Sequence, residues 1–460
     1  MTWNYQKYPF SMDEIRRIVP EIELKTPFVS KCSIIGNLVY LSGFYGIKQK
    51  DTGDHSNDFE DQLVYCLDTL RISLEEIGSS IHNLIKILVL INDTGDCPRF
   101  WKLLMDYFER NAPELLTKPP AVTIIPVHSF SNISSKVGLD VVAVLDQNTA
   151  GWEVNKYPSN HFSIAHTYNN FSRNLPLFAE SVAVGNLLFL SGVGGENSDT
   201  GKIETGDFEI QMDIGFQKIL AAFKRAGSSV ANIIKTLHML ANIDNLLFPS
   251  CDGGVSHSPA SDRLWKRELE HYDLYAPSLL GEFPASTFLK LDSLESPGSM
   301  SAIDITGVIN PEKPGWKVKN YPLYYGKRGF PHHIGEIKKY YANSVVVGNL
   351  ILISGQTPTN HSTGRIETKT FAEQLSVTLE NLRMALEETG SSLNNLAKTY
   401  VLLPDLSYYP VMRRMEYDYY RAYAPELVEK PPASTLICPL NLASPDMLIE
   451  IDAIGFIPDS

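Results

Sequence analysis

The sequence predicts an α+β protein built from three tandem copies of one domain. An octapeptide occurs three times, as GNLVYLSG at 36–43, GNLLFLSG at 185–192 and GNLILISG at 348–355. Other landmarks keep the same offsets, and 460 residues divide into units of roughly 150, an ordinary size for a domain with its own core. We therefore place the domains at 1–150, 151–313 and 314–460.

Each copy shows the same order of elements. The alternating octapeptide indicates a strand, and the Gly-Asn pair before it indicates the tight turn of a hairpin. A helix follows, with apolar residues three or four positions apart, as in Phe59, Leu63, Leu67 and Leu70. A β-branched strand, an aromatic-rich helix, a Pro-led strand and a closing strand complete the unit. The predicted order is ββαβαββ, with helices covering one face of the sheet and the other two units burying the opposite face.

Two further features accompany the repeats. Trp3, Trp152 and Trp316 each stand five residues before a Tyr-Pro pair, which we interpret as an aromatic clip that packs each linker against its own domain. A lid over a cleft is the alternative. The middle copy also contains about fifteen extra residues near 249–262, and their Gly, Ser and Pro content predicts a surface loop in which His257 is exposed.

Composition excludes several classes of function. The chain is 43% hydrophobic and has neither a membrane-length apolar run nor a charged-then-apolar leader, so we expect a soluble, cytoplasmic protein. Its five cysteines form no CxxC pair, which disfavours a disulfide framework and structural zinc. A net charge of -13 disfavours nucleic-acid binding. No cofactor or metal is expected, because the sequence has no GxGxxG after a strand, no phosphate loop and no His pair at ligand spacing.

The ordered set of motifs resembles the Rid family, also called YjgF-like proteins. These motifs are Gly-Asn, the LSG strand end, the Phe-x-x-Gln helix start, Gly-Ser-Ser before the central strand and Pro-Ala-x-Thr before the last hairpin. Rid proteins are typically homotrimers of chorismate-mutase-like fold that hydrolyse enamines and imines such as 2-aminoacrylate in clefts between subunits. The resemblance implies an intramolecular pseudo-trimer, a monomer with internal threefold pseudosymmetry and clefts between its domains.

The family's carboxylate clamp is missing from all three copies. Deaminating members place an Arg directly after the Pro-Ala of the fifth strand, where its guanidinium can hold a carboxylate by two hydrogen bonds. This chain has Val122, Ser286 and Ser434 there. The two serines are candidate ligand contacts, with ordinary strand residues as the alternative.

Other family positions are kept mainly in the third copy. Tyr341 matches a ligand-contacting Tyr and Glu450 matches the Glu that positions or activates water, so the resemblance implies that these two are catalytic. The family's second-helix Asn corresponds to Trp101, Trp265 and Arg413. Arg413 is either a replacement anion contact or a solvated helix residue, and the tryptophans either favour an aromatic ligand or pack in the core. The predicted substrate-binding residues are Arg413, Ser434, Cys438, Ser286, Trp101 and Trp265.

Asp140, Asp304 and Asp452 recur at one position of the closing strand, which predicts a shared structural role such as a hydrogen bond to a turn. For function, the first hypothesis is a cofactor-independent acid–base enzyme that acts on a small imine, enamine or carbonyl metabolite, as a hydrolase, cyclase or lyase. The alternative is a non-catalytic pseudo-trimeric scaffold or small-molecule binder. An endoribonuclease ranks third, because the chain is acidic.

Overall fold

The computed structural model describes residues 3–14, 26–46, 56–132, 134–159, 175–241, 259–323 and 341–459, with only the backbone at 259–262. The insertion predicted near 249–262 therefore lies mostly outside the described residues, as does His257. Its last part, from residue 259, is helical, so a loop there is wrong. Within the described residues, no helix combines the length and apolar character needed to cross a membrane.

The three repeats contain closely similar elements. The first repeat has β1 (Tyr5–Pro9), β2 (Ser30–Ile35), β3 (Leu38–Leu41), β4 (Phe44–Tyr45), α1 (Phe59–Glu76), β5 (Leu84–Ile91), α2 (Cys97–Asn111), β6 (Ala121–Pro126) and β7 (Val137–Val144). The second has β8 (Val154–Pro158), β9 (Ala179–Val184), β10 (Leu187–Leu190), β11 (Val193–Gly194), α3 (Phe208–Arg225), β12 (Ile233–Ala241), α4 (Pro259–Tyr275), β13 (Ala285–Leu291) and β14 (Ser301–Val308).

The third repeat adds a short hairpin and a short helix. It has β15 (Val318–Pro322), β16 (Ala342–Val347), β17 (Leu350–Gln356), β18 (Thr359–Asn360), β19 (Arg365–Ile366), α5 (Phe371–Glu388), β20 (Leu396–Leu402), α6 (Tyr409–Tyr423), α7 (Glu426–Glu429), β21 (Ala433–Ile437) and β22 (Glu450–Phe456). The first helix of each repeat begins at a capping side chain: Asp58 caps α1, Asp207 caps α3 and Thr370 caps α5, each accepting hydrogen bonds from backbone N–H groups of the first turn.

Two features differ from the predicted ββαβαββ unit. First, each Tyr-Pro segment is itself a strand, since β1, β8 and β15 pair antiparallel with β2, β9 and β16. Second, the sheets do not end at the repeat boundaries. The Pro-led strand of each repeat pairs in parallel with the next repeat, β6 with β9, β13 with β16 and β21 with β2, so the strand pairings run round the molecule and return to their start.

The inner face of this ring of strands is a core shared by all three repeats. Val142, Leu187 and Val345 belong to one apolar cluster although they come from three different repeats. Separate clusters lie between the sheet and the helices of each repeat. The helices therefore cover the outer face, and the repeats bury one another's inner faces.

The three preface tryptophans meet one another. Trp3, Trp152 and Trp316 pack edge to face, with ring centroids 4.8, 4.9 and 4.8 Å apart. Each ring also lies against the turn glycine of another repeat, since a Cβ at Gly36 would meet Trp152 and one at Gly348 would meet Trp3. The prediction that each tryptophan packs its linker against its own domain is therefore wrong. The three indole side chains instead join different repeats, at one end of the ring of strands.

A recurring buried ion pair also joins the repeats. Lys86 pairs with Asp304, Lys235 with Asp452, and Lys398 with Asp140. In each case the aspartate also accepts a hydrogen bond from a threonine beside the lysine strand, Thr123, Thr287 or Thr435. The recurring aspartates therefore have a shared structural role, but the expected bond to a turn is wrong, because their partners belong to the neighbouring repeat.

Candidate active site

Each boundary between repeats brings the Pro-led strand of one repeat, β6, β13 or β21, against the end of the octapeptide of the next repeat. We name these boundaries the 1–2 junction, the 2–3 junction and the 3–1 junction, by the repeats they join. One hydrogen bond is common to all three, from the backbone N–H at the family's clamp position to the Ser that ends the octapeptide strand. These bonds are Val122 to Ser191 at 2.8 Å, Ser286 to Ser354 at 2.8 Å and Ser434 to Ser42 at 2.7 Å.

At the 2–3 junction a carboxyl group is buried without a partner. Glu450 is the first residue of β22, is 3% exposed, and its Oε2 has no hydrogen-bond partner in the described part of the chain. Its side chain occupies the space above Gly355, where a Cβ would overlap Oε1. Gly355 in turn donates its N–H to Thr287 Oγ1 of the second repeat at 3.1 Å, which places Glu450 at the boundary between the two repeats.

The surroundings of Glu450 favour its protonated form. Burial and, to a smaller extent, the nearby Asp452 raise the pKa of this carboxyl to about 8, although Lys235 partly opposes them. Because Lys235 is already paired with Asp452, it does not neutralise a second carboxylate. At neutral pH the Glu450 carboxyl can therefore donate a proton, a property typical of general acids in enzymes.

Aromatic rings from both repeats meet at the same junction. Tyr341, directly before β16, lies with its ring centroid 5.9 Å from that of Trp265 on α4. Trp265 also makes an edge contact with His238, at 5.3 Å. Ser286, at the clamp position, accepts a hydrogen bond from Thr236 Oγ1 at 2.9 Å. The 2–3 junction thus combines a neutral carboxyl, an aromatic pair and a hydroxyl pair, with no arginine at the clamp position.

The 3–1 junction holds Arg413 in a closed network. Arg413 is 6% exposed, pairs with Glu416 at 2.5 Å and donates from Nη2 to Ser434 Oγ at 3.1 Å. Its guanidinium also lies over the rings of Phe28 and Tyr409, each 5.2 Å away. The solvated alternative for Arg413 is wrong, because α6 directs this side chain inward towards the clamp position.

A tyrosine takes the place of the carboxyl at the 3–1 junction. The Tyr45 hydroxyl donates to Leu436 O at 2.9 Å and accepts from Leu436 N at 2.8 Å. Its ring lies against Gly138, the counterpart of Glu450 in the first repeat. Cys438 lies nearby in sequence, but its Sγ contacts Ser129 Oγ at 3.1 Å, and burial raises the pKa of its thiol. A thiol in that state is a poor nucleophile.

The 1–2 junction is the least polar. Val122 stands at the clamp position, and Ile87 beside it replaces the threonine of the other two junctions. Trp101 donates from Nε1 to Glu295 Oε1 at 2.9 Å, and its ring centroid is 5.9 Å from that of Phe178.

The predicted site residues therefore fall into three groups. The 2–3 junction contains Tyr341, Glu450, Ser286 and Trp265; Arg413, Ser434 and Cys438 lie on the third-repeat side of the 3–1 junction; and Trp101 lies at the 1–2 junction. Sequence reasoning treated Tyr341, Arg413, Ser434 and Glu450 as one polar set of the third copy, whereas the structure divides them between two junctions. It also missed Tyr45, His238 and Glu268. The signal for Glu268 was a charged residue on the buried stripe of α4, where the first repeat has Leu104.

Comparisons with known proteins agree with the repeat structure. Residues 20–145, 173–251 and 332–457 match the family model described as endoribonuclease L-PSP. A RutC family protein of Pyrococcus abyssi is 34% identical over 116 residues, which cover 25% of this chain and 85% of that protein. The 2-iminobutanoate/2-iminopropanoate deaminase of Escherichia coli is 31% identical over 115 residues, with the same coverage. A crystal structure of a chorismatase matches 81% of this chain and 93% of its own, with a TM-score of 0.50 and 13% identity, which indicates a shared fold alone.

Proposed function

The chain belongs to the endoribonuclease L-PSP family, whose members are also called Rid or YjgF-like proteins, and we propose that its 2–3 junction protonates a small neutral imine, enamine or carbonyl compound. The observation that carries the proposal is the buried Glu450 carboxyl, whose Oε2 has no hydrogen-bond partner in the described part of the chain. A buried polar group without a partner is destabilising, so its presence at an inter-repeat boundary favours a functional role.

The charge of the junction supports a neutral substrate. The deaminase of Escherichia coli is named for 2-iminobutanoate and 2-iminopropanoate, which carry a carboxylate. In this chain Ser286 stands at the clamp position, and Lys235, the lysine that acts on the Glu450 carboxyl, is paired with Asp452. Neither residue therefore offers a free cation to an anionic substrate. The rings of Tyr341 and Trp265 instead suit an apolar or aromatic substituent.

The chemistry of imine hydrolysis matches a protonated carboxyl. Glu450 donates its proton to the imine nitrogen, which makes the carbon electrophilic. Water then adds to that carbon and returns a proton to the Glu450 carboxylate, which gives a carbinolamine. Collapse of the carbinolamine moves its hydroxyl proton to the leaving nitrogen, breaks the C–N bond, releases ammonia and leaves the carbonyl product. The sum is imine plus water giving carbonyl plus ammonia, and no cofactor takes part.

The second candidate function is binding without catalysis. The observation that favours it is the closed state of the 3–1 junction, where Tyr45 bonds the backbone of Leu436 and Arg413 pairs with Glu416. In either case the active species is a single chain of 51.4 kDa, because covalent linkage keeps the three repeats at a high effective concentration. Light scattering checks this mass.

An imine hydrolysis assay tests the proposal. An amine oxidase generates a neutral aromatic imine from benzylamine, and an amino-acid oxidase generates an anionic imine from leucine, so that carbonyl formation above the spontaneous rate can be measured for both. We expect acceleration of the neutral imine and little of the anionic one. Glu450→Gln keeps the size of the side chain, removes the acid and should lower the accelerated rate roughly 10²-fold or more.

Tyr45→Phe is the matched control, because Tyr45 occupies the corresponding space at the 3–1 junction. Its rate should equal that of the native chain. Equal rates for Glu450→Gln and the native chain would remove Glu450 from the mechanism. Absence of acceleration with every imine and aldehyde tried would favour the binding role.

A further inference from the structure

The second repeat contains a small, partly open cavity that is separate from the family's clamp position. It lies between α3, α4 and the sheet and has a volume of about 40 Å³. Its lining includes Gly215, Phe216, His238, Leu264, Glu268 and His271. A cavity of this size accepts one or two non-hydrogen atoms, since a benzene-sized ligand requires about 150 Å³.

A glycine inside a helix opens this cavity. Gly215 lies in the middle of α3, at the position of Cys66 in the first repeat and Thr378 in the third. A Cβ at Gly215 would meet no atom closer than 3.5 Å, which is ordinary contact, so packing does not require glycine there. Glycine destabilises a helix interior relative to other residues. The space it leaves is therefore the feature that distinguishes the second repeat.

A histidine ring nitrogen with no hydrogen-bond partner among the described residues faces the same space. His238 is 2% exposed, and its Nε2 has no hydrogen-bond partner in the described part of the chain. Nε2 lies 3.4 Å from Glu268 Oε1, which is close but lacks hydrogen-bond geometry. The corresponding residues are Val89 and Val401, so the imidazole is also specific to the second repeat.

In the third repeat, the counterpart of Glu268 has a basic partner. There the counterpart carboxylate, Glu416, accepts from Tyr420 at 3.1 Å and pairs with Arg413 at 2.5 Å. Glu268 likewise accepts from a tyrosine, Tyr272 at 2.7 Å, but Trp265 stands where the third repeat has its arginine. Among the described residues, no lysine or arginine pairs with Glu268.

We propose that the cavity binds a small ammonium cation, either ammonium itself or a primary amine of methylammonium size, between the Glu268 carboxylate and His238 Nε2. The cation supplies the charge that Arg413 supplies in the third repeat. Its N–H groups donate to the carboxylate and to the imidazole nitrogen, which satisfies both buried acceptors.

The other charged groups around the cavity are already paired. His271 contacts Asp213 at 2.8 Å, and Arg267 binds both Asp213 and Glu270. Lys218, on the sheet side of α3, donates to the backbone of Gly194 and pairs with Glu196. Burial raises the pKa of Glu268 to about 7 and lowers that of His238 to about 3. Cation binding should therefore be tighter at pH 8, where Glu268 is ionised, than at pH 6, where binding must displace a proton.

Thermal unfolding with added salts tests the proposal on the full chain. The probes are ammonium, methylammonium, tetramethylammonium and sodium chlorides at equal ionic strength. We expect a saturable rise in Tm with ammonium and methylammonium at pH 8, and no saturable rise with sodium or with tetramethylammonium, which is too large for the cavity. Calorimetric titration with methylammonium chloride should give one site per chain.

Two variants make the test specific. Glu268→Gln keeps the shape and removes the charge, and Gly215→Cys fills the cavity with the residue of the first repeat; both should abolish the saturable rise. If Gly215→Cys does not fold, Gly215→Ala replaces it, since its Cβ meets only ordinary contacts. Equal rises with all four salts, retention of the effect in Glu268→Gln, or no rise at all would overturn the proposal. None of these readouts depends on turnover at Glu450.

Discussion

The 2–3 and 3–1 junctions have the same backbone arrangement and opposite chemistry. Both present a serine at the clamp position that accepts a hydrogen bond from a neighbouring threonine at 2.9 Å. The 3–1 junction adds Arg413, Glu416 and Tyr45, which satisfy one another or the backbone. The 2–3 junction instead leaves the Glu450 carboxyl buried without a partner for Oε2. The difference teaches that the two junctions share a fold and differ in whether their buried polar groups are paired, and this is why we place the proposed function at the 2–3 junction.

The largest expected effect on stability comes from removing the buried Arg413–Glu416 ion pair of the 3–1 junction. Arg413→Met leaves Glu416 buried and unpaired, and should lower the free energy of unfolding by about 3–5 kcal/mol. Denaturant unfolding measures the loss. The control is Arg413→Met combined with Glu416→Leu, which resembles the first repeat with its Leu104 and should regain most of the stability. Equal losses in the single and double variants would show that the ion pair is not the cause.

The free energy of unfolding should depend on pH through the Glu450 carboxyl of the 2–3 junction, and Glu450→Gln should remove that dependence. The folded-state pKa of Glu450, about 8, lies above the ordinary value of 4.5, so the folded chain holds a proton that the unfolded chain releases. The stability from this proton is fully present below pH 4.5 and is lost as the pH rises towards 8. Relative to the native chain, Glu450→Gln should gain about 2–4 kcal/mol between pH 5 and pH 8. Parallel stability curves for the two proteins would contradict the raised pKa.

A smaller effect on stability is expected from the loss of the Tyr45 hydroxyl at the 3–1 junction. Tyr45→Phe removes the acceptor of the buried Leu436 N–H and the donor to its carbonyl. The expected loss in the free energy of unfolding is about 1–3 kcal/mol, because a buried backbone group is left without a partner. Chemical denaturation checks it, and Tyr65→Phe, on the exposed face of α1, is the control. An unchanged midpoint for Tyr45→Phe would mean that solvent replaces both bonds.

Local sequence patterns predicted the repeats because strands and helices leave periodic signals. The apolar stripe of Phe59, Leu63 and Leu67 and the matching stripes of the other copies depend only on residues near in sequence. The additional strand β1 was not predicted, because a five-residue segment that ends in Tyr-Pro has no periodic strand signal of its own. It is a strand because it pairs with β2. Boundaries at 150 and 313 remain predictions.

The site was less predictable because its residues meet across repeats. Tyr341 and Trp265 are in contact only because the third repeat packs on the second. Asp140 of the first repeat pairs with Lys398 of the third, which is distant in sequence. The family resemblance selected Glu450, which the structure places at an inter-repeat boundary, and its catalytic role stays a prediction. No local pattern separates Glu450 from Arg413. The burial of Arg413 also has no local signal, since Arg414 beside it is exposed.

The pKa of the Glu450 carboxyl is the measurement that tests the account most directly. Carbon-13 NMR of glutamate side-chain carboxyls, with Glu450→Gln used to assign the signal, gives its titration curve in the full chain. The account predicts a midpoint near 8, so that the group remains largely protonated at neutral pH and can act as an acid. A midpoint near the ordinary value of 4.5 would contradict the account, because the carboxylate would then have no proton to donate at neutral pH.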